Sequence, residues 1–505
     1  MAQPRALTPP SALRPAPTAP LPGSFTLRED PSTQAFDGGT VLLGGSPLRL
    51  FRISERARQL VGLWKNGAEV GPRRSAQLLA RRLASGGAFN PQPSSSTLGL
   101  PDVTVVVPVH NRPEQLDRLL QSVEGEGLAC IVVDDASANA SATKEIAERH
   151  GAAFIGLATN VGPAAARNAG LAAVHSTLVA FVDSDCVPSE GWLAPLLGHF
   201  DDPMVAAAAP RIVAAGGHVR YEVTRSSLNR GPEAGPVRPG SRIPFVPSAA
   251  LVVRTDVALG ADLFDPTLRG GEDVDLVWRL SEAGWDVRYV PSSTVVHEGP
   301  ATLKDFLVRR AFYGTTAGPL SRRHGEAVAP LHLSGWSLLV WTLLLARRPV
   351  LALTALSASI VVLAARLRGL VRDPVGVAAQ IAGKGTTRSA LPALASLTRA
   401  WAPAFVLGLL FRRTRRACAL ALVVPALHEW ATDRQNLDPV RAVAVHVADD
   451  VAYGTGVFIG CARERTLVPL IPRIAWRARV WSKPALRERL QPPTPEQAAA
   501  EKATG

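Results

Sequence analysis

Two short stretches carry acids at spacings that can do chemistry. TLVAFVDSDC (177–186) ends an apolar run in Asp183 and Asp185. Carboxylates at i and i+2 leaving a buried strand can share one divalent cation, and Mg²⁺ or Mn²⁺ then takes its remaining oxygens from a diphosphate. The alternative is a polar loop. TLRGGEDVDLVWRLSEAG (267–284) places Glu272, Asp273 and Asp275 after two glycines. Leu276, Val277, Leu280 and Ala283 repeat at helical spacing, so 272–283 reads as one helix stopped by Gly284. Its acids either serve the helix dipole or do chemistry at the helix start. Two more segments are ambiguous alone. VVDDAS (132–137) offers Asp134 and Asp135 as an Asx-type turn or as acceptors for a nucleobase N–H. In NVGPAAARNAG (160–170), Arg167 faces a base or phosphate, or lies on the surface.

The elements around these residues favour chemistry. From residue 101 strand and helix patterns alternate: VTVVVPV, PEQLDRLLQSV, CIVVDDAS, ATKEIAERH, AFIGLA, PAAARNAGLAAV, TLVAFVDSD. This is the βαβ rhythm of an α/β, mostly parallel, doubly wound sheet, whose ligands bind at the C-terminal strand ends. Every polar cluster of the region sits at such an end. Ahead of it, residues 1–24 are rich in Ala and Pro and read as disordered. Residues 25–88 read as a small α+β module: a hairpin from TVLLGG and LRLFRI, a helix capped by Ser54 and running to about Trp64, and a second helix over 75–85. FNPQPSSSTLGL (89–100) reads as a linker and 486–505 as a disordered tail.

Residues 301–485 read as an apolar helical region associated with a membrane. Runs at 331–346 and 350–365 are split by Arg347-Arg348-Pro349, and a third apolar zone covers 391–428. Each of the first two is short for a span of about 20 residues. Arginines flank both outer ends and the turn, which the positive-inside rule disfavours for a spanning hairpin. Helices lying in one leaflet fit better. The net charge of +13 falls mostly on arginines after residue 300, beside apolar runs, which suits an anionic membrane surface rather than nucleic acid. Cys130, Cys186, Cys418 and Cys461 show neither paired nor metal-type spacing, and the N-terminus lacks the apolar core of a signal peptide.

The ordered set VVVPVHN, VVDDAS, NVGPAAARN, VDSD and GGEDVD over 101–300 resembles the family 2 glycosyltransferases. The resemblance implies a GT-A nucleotide-sugar-binding fold. It implies that Asp135 contacts uracil, and that the Pro108 segment with Asn111, Arg167 and Asp183 lines the nucleotide-sugar pocket. Asp183 and Asp185 match its metal-binding acids for Mg²⁺ or Mn²⁺, with Asp185 nearest the cation, and His297 in VVHEG matches a histidine near the diphosphate or metal. Asp273 matches the catalytic base, and Glu272 would orient it or bind acceptor. Gly270 and Gly271 would let the backbone approach the sugar. The Gln-x-x-Arg-Trp motif of the processive synthases is missing; LVRRAFYG (307–314) stands nearest, with Arg309 and Arg310 as candidates to meet a diphosphate.

DGGTVLLGGSPLRLFRIS and DPVRAVAVHVADDVAYGTGVFIG look like segments of the mycofactocin-system glycosyltransferases. That resemblance implies an inverting enzyme that adds β-1,4-linked glucose from UDP-glucose to a peptide-derived redox cofactor. The competing expectation is a cell-wall or lipid acceptor. The N-terminal module faintly resembles small winged-helix peptide-recognition domains; it either holds a peptide or pathway enzyme by strand addition or packs as an appendage. Nucleotide sugars are cytosolic, so the expected location is the inner membrane with the catalytic domain in the cytoplasm.

Overall fold

The computed structural model describes residues 19–215, 225–260, 263–433 and 437–476. Most of the first segment read as disordered, and all of the C-terminal tail, lie outside them. Leu21 lies inside and is fully buried in the N-terminal core.

The N-terminal module follows its sequence pattern. Strands β1 (Thr26–Glu29), β2 (Gln34–Phe36), β3 (Val41–Gly44) and β4 (Arg49–Arg52) precede helices α1 (Glu55–Lys65) and α2 (Arg74–Ser85). β2, β3 and β4 form one antiparallel sheet, and the Ser54 side chain accepts from the Ala57 N–H as the cap of α1. The expected linker is partly ordered. Phe89–Gln92 forms β5 and pairs antiparallel with β1, so the module runs to Gln92. Phe89 drives this by filling the module core.

Among the described residues, the central sheet has nine strands: β6 (Val103–Val109), β7 (Ala129–Asp134), β8 (Ala153–Gly156), β9 (Leu178–Val182), β10 (Cys186–Pro188), β11 (Val205–Ala214), β12 (Gly235–Pro236), β13 (Ala250–Arg254) and β14 (Asp286–His297). Its order is β10-β14-β11-β13-β9-β6-β7-β8, with β12 on β14. Helices α3 (Pro113–Glu124), α4 (Ala140–Arg149) and α6 (Ala194–Leu197) cover one face; α5 (Pro163–Leu171), α7 (Thr255–Leu259) and α8 (Glu272–Glu282) cover the other. The apolar strand runs are therefore buried on both sides. Val105 and Val107 enter one core, Val106 the other.

The expectation of a mostly parallel sheet holds for half of it. β8, β7, β6 and β9 pair in parallel. β13 is antiparallel to both β9 and β11, and β10 and β12 run antiparallel to β14. A strand buried on both faces carries no direction in its apolar pattern, which is why the sequence did not reveal the reversal. Two reversals leave β11 and its parallel neighbour β14 aligned with β9. The C-terminal ends of β6, β7, β9 and β14 thus open on one edge.

Behind this edge stand α9 (Leu303–Thr315) and α10 (Ala317–His324), then β15 (His332–Ser334), α11 (Gly335–Leu345), α12 (Pro349–Leu367), α13 (Pro374–Gly408), α14 (Arg415–Asp433), α15 (Pro439–Glu464) and β16 (Arg473–Ala475). Three of these helices, α12, α13 and α15, are long and apolar enough to cross a membrane, whereas α11 is too short. The third apolar zone of the sequence divides between α13 and α14, which part at the exposed arginine turn 409–414.

α9 lies against α15 with glycines at the seam. A Cβ at Gly456 would collide with the Ala311 carbonyl, and one at Gly314 with the Tyr453 carbonyl. Beneath this seam the α15 carboxylates Asp449 and Asp450 are buried, paired with Arg225, Arg310 and Arg399.

Candidate active site

The strand-end loops are stitched to one another before any substrate arrives. Asn111 has a left-handed backbone, φ 57°. Its Oδ1 accepts from the Ala138 N–H at 2.7 Å, and its own N–H donates to Ser137 Oγ at 2.8 Å. His110 Nδ1 lies 2.8 Å from the Asp135 carbonyl, so that nitrogen carries the proton; Nε2 then accepts from Asn111 Nδ2 at 2.9 Å. Asn111 therefore joins the β6 and β7 loops beside the cavity that Pro108, His110 and Arg112 line.

Asp135 is buried and holds the next loop. One carboxylate oxygen accepts from the Val161 N–H at 2.8 Å, the other from the Gly162 N–H at 2.9 Å. Each oxygen keeps a lone pair for a further donor. Gly162 sits at φ 91°, where a side chain would be strained.

Arg167 is buried in α5 and joins two segments far apart in sequence. Its Nη2 donates to Asp183 Oδ1 at 2.5 Å and its Nη1 to Glu272 Oε1 at 3.0 Å. Phe264 lies 5.3 Å from its guanidinium carbon. Burial and the neighbouring Asp185 raise the Asp183 pKa, with Arg167 opposing them. Asp185 has other partners. It forms an ion pair with Arg112 and lies 3.6 Å from His297 Nε2 on β14. Burial alone would raise its pKa, but His297 and Arg112 outweigh that and hold it well below the usual carboxylate range. His297 pairs in register with Cys186, which brings it beside Asp185.

Asp273 lies in the first turn of α8. Its Oδ1 accepts from the Val274 N–H at 2.7 Å, and the Ser248 backbone also bonds to it. Burial and the adjacent Glu272 charge raise its pKa to about 7. That is the range a general base needs at neutral pH. The N-cap residue Gly271 has φ 76°.

The two glycines serve packing as well as access. A Cβ at Gly270 would meet the Phe312 ring at 2.9 Å, and one at Gly271 would meet Leu320 at 3.1 Å. The close approach expected for a sugar is made, on that side, by α9 and α10.

Pro108, Asp135, Arg167, Asp183, Asp185, Glu272, Asp273 and His297 all line one cavity of about 1170 Å³. Arg309 and Arg310 line it too; Arg309 is half-buried, and Arg310 is bound to Asp449 at 3.1 Å and to the Arg225 carbonyl. Sequence reasoning singled out neither Arg112 nor Tyr313. Arg112 follows VVVPVHN directly, so its place at a strand end was the available signal. Tyr313 had none beyond its position in LVRRAFYG.

Asp185 and His297 suit a divalent cation that shares its ligands with a diphosphate. They supply a carboxylate oxygen from the β9–β10 turn and an imidazole nitrogen from β14, Arg112 already places a positive charge on the carboxylate, and the buried His297 Nδ1 has no hydrogen-bond partner among the described residues. Among the described residues no three or more His, Cys, Asp or Glu converge on a metal position. A Mg²⁺ that shares its ligands with phosphates needs only one or two carboxylates from the protein.

Residues 104–258 match the family described as glycosyl transferase family 2. The chain is 39% identical to the pre-mycofactocin glycosyltransferase of Mycobacterium tuberculosis over 474 residues, 90% of this chain and 98% of that one. It is 28% identical over 209 residues to the succinoglycan biosynthesis protein ExoU of Rhizobium meliloti, covering 36% and 58%. A mannosyltransferase from Pyrobaculum calidifontis, solved with GDP-Man and Mn²⁺, aligns over 71% of this chain and 87% of its own at 19% identity and TM-score 0.39. That last likeness is too distant to inform the site. Motifs, cavity and near full-length identity agree: this chain belongs to the family 2 glycosyltransferases, among the pre-mycofactocin glycosyltransferases.

Proposed function

We propose that the protein is an inverting hexosyltransferase that moves glucose from UDP-glucose onto a peptide-derived redox cofactor and extends it as a β-1,4-linked chain. The observation that carries this reading is Asp273, a carboxylate with pKa near 7 in the same cavity as Asp135, Asp183 and Asp185. Asp135 accepts the uracil N–H with its remaining lone pairs. Arg167 holds Asp183 and Glu272 in fixed orientation, so the donor and acceptor sides of the cleft keep their spacing. Asp273 takes the proton from the acceptor hydroxyl as that oxygen attacks the anomeric carbon from the face opposite the diphosphate. One displacement inverts the anomeric centre. Asp185 and His297 would hold Mg²⁺ or Mn²⁺, which when bound neutralises the departing diphosphate. Positioning of the two substrates supplies much of the rate. Arg309, which lines the same cavity, would meet the donor phosphates.

Membrane association fits the apolar helices α12, α13 and α15, with the catalytic domain on the cytoplasmic side of the inner membrane, where nucleotide sugars are made. The same helices favour the second reading, transfer to a cell-wall or lipid acceptor.

The test incubates wild type and Asp273→Asn with UDP-glucose, Mn²⁺ and a decarboxylated Val-Tyr-derived acceptor, and follows products by mass spectrometry. Stepwise hexose addition is expected for wild type, falling by about 10²- to 10⁴-fold in the variant. Transfer to a lipid fraction instead, with none to the peptide-derived acceptor, would establish the second reading.

A further inference from the structure

The cavity is larger than one small ligand needs. Small-molecule pockets run to roughly 1,000 Å³ at most, and this one reaches about 1170 Å³. It continues past Asp273 to Arg399 and Tyr453, which belong to α13 and α15. Two guanidinium groups lie over aromatic rings along this stretch. Arg230 stands 4.1 Å from the Phe245 ring centre, and Arg399 stands 4.3 Å from that of Tyr453. Arg230, Phe245, Arg399 and Tyr453 all line the cavity that holds Asp273, so both stacked pairs border it.

Stacking leaves a guanidinium's in-plane N–H groups free to donate. Arg230 gives Nη2 to the Ser227 carbonyl at 3.0 Å, and its buried Nε has no partner among the described residues. Arg399 is fixed through Nη1 to Asp450 at 3.2 Å and Asp449 at 3.5 Å. Its Nε and Nη2 make no hydrogen bond among the described residues. The wall therefore offers flat surfaces together with unspent donors and no unpaired carboxylate beyond Asp273.

We propose that this half of the cavity is an acceptor subsite for an aglycone carrying an aromatic ring with hydrogen-bond-accepting oxygens, and that Arg399 and Tyr453 of the C-terminal helices select it. The inference rests on the glycosyl-transfer reading above. It makes α13 and α15 part of the specificity apparatus, with Asp449 and Asp450 as positioning residues for Arg399.

The probe is a pair of acceptors, 4-nitrophenyl β-D-glucoside and methyl β-D-glucoside, with UDP-glucose and Mn²⁺ and the full chain. Wild type should show a KM for the aromatic glucoside roughly tenfold lower than for the methyl glucoside, the size of one stacking contact. Tyr453→Ala and Arg399→Gln should bring that ratio toward one, while the UDP-glucose KM moves by less than about twofold, which separates lost acceptor binding from misfolding. Tyr453→Phe, which keeps the ring, should retain the preference. Transfer with no aromatic preference in wild type, or a preference that survives Tyr453→Ala, overturns the subsite alone. No transfer to either glucoside or to the peptide-derived acceptor overturns the subsite and the glycosyl-transfer reading together.

Discussion

At the scale of single residues, the site is a ladder of acids with assigned counter-charges. Arg167 serves Asp183 and Glu272, and Arg112 and His297 serve Asp185. Asp273 has no such ion-pair partner among the described residues, and burial and Glu272 lift its pKa to about 7. The sign of the pH dependence follows. A base works when deprotonated, so acceptor kcat/KM should rise with pH, about tenfold per unit below 7 and levelling above it. Glu272→Gln removes the adjacent negative charge and should move that rising limb to lower pH by about one unit. A profile flat from acid to neutral pH would remove Asp273 from the role of base. Arg112 bears on the proposed cation. Its side chain is 41% exposed, so its pairing with Asp185 is worth no more than about 1 kcal/mol. Arg112→Gln should therefore lower the Mn²⁺ concentration for half-maximal activity by up to roughly fivefold; a rise in that concentration would mean that the guanidinium supports the diphosphate rather than competing with the cation. Asp135, Asp183 and Asp185 were legible because each follows an apolar run at a strand end, and Glu272 and Asp273 because they open an amphipathic helix. Their pairing was not: Arg112 and Asp185 meet only once β6 and β9 lie side by side.

At the scale of elements, local pattern and long-range packing separate cleanly. The helix 272–283, the hairpin of β3 and β4 and the βαβ run were all written in periodicity. The reversal of β13 was not, because its burial on both faces erases direction. The packing role of Gly270 and Gly271 was hidden for a similar reason, since Phe312 and Leu320, which crowd them, stand some forty to fifty residues downstream. The α9–α15 seam is the clearest case of sequence-distant dependence. Gly314 and Gly456 touch backbone of the opposite helix, so no flexible side chain can give way. Gly456→Val should overpack the seam, costing about 1–3 kcal/mol or more. The expected result is a lower Tm together with a raised acceptor KM, because Tyr453 and Arg399 lose their placement. An unchanged Tm would mean that the two helices are not held at this distance in solution.

At the scale of the whole molecule, the three regions are joined by buried contacts and not by linkers alone. Arg81 of α2 reaches the fully buried Asp202, 2.9 Å from Nη1, and Asp286 at 3.1 Å, and Arg288 shares Asp202. Arg238 donates to the Ser46 and Ser85 carbonyls. Val41, Leu43 and Leu50 of the module pack on Ala364, Leu367, Val377 and Ala378 of α12 and α13. The module therefore sits where α12 ends and α13 begins, which makes the opposite ends of these helices informative. Arg347 and Arg348 lie at the far end of α12, and Arg412, Arg413, Arg415 and Arg416 at the far end of α13, all exposed and flanked by exposed Leu345, Val350, Leu410 and Phe411. If α12 crossed the bilayer, Arg347 and Arg348 would emerge on the side away from the module, against the positive-inside rule, whereas Arg412 to Arg416 follow closely on Arg399, which lines the catalytic cavity. Lying in one leaflet, the same turns would place apolar side chains among acyl chains and arginines among anionic headgroups, each worth about 1 kcal/mol near the surface. Arg413→Cys and Arg347→Cys, each made with Cys130→Ser and Cys418→Ser to remove the two half-exposed thiols, give the test in inverted and right-side-out membrane vesicles. Labelling by an impermeant maleimide only when the catalytic domain faces outward is the expected result and fits helices in one leaflet. Labelling only in the opposite orientation would establish spanning helices and require the arginines to have been carried across.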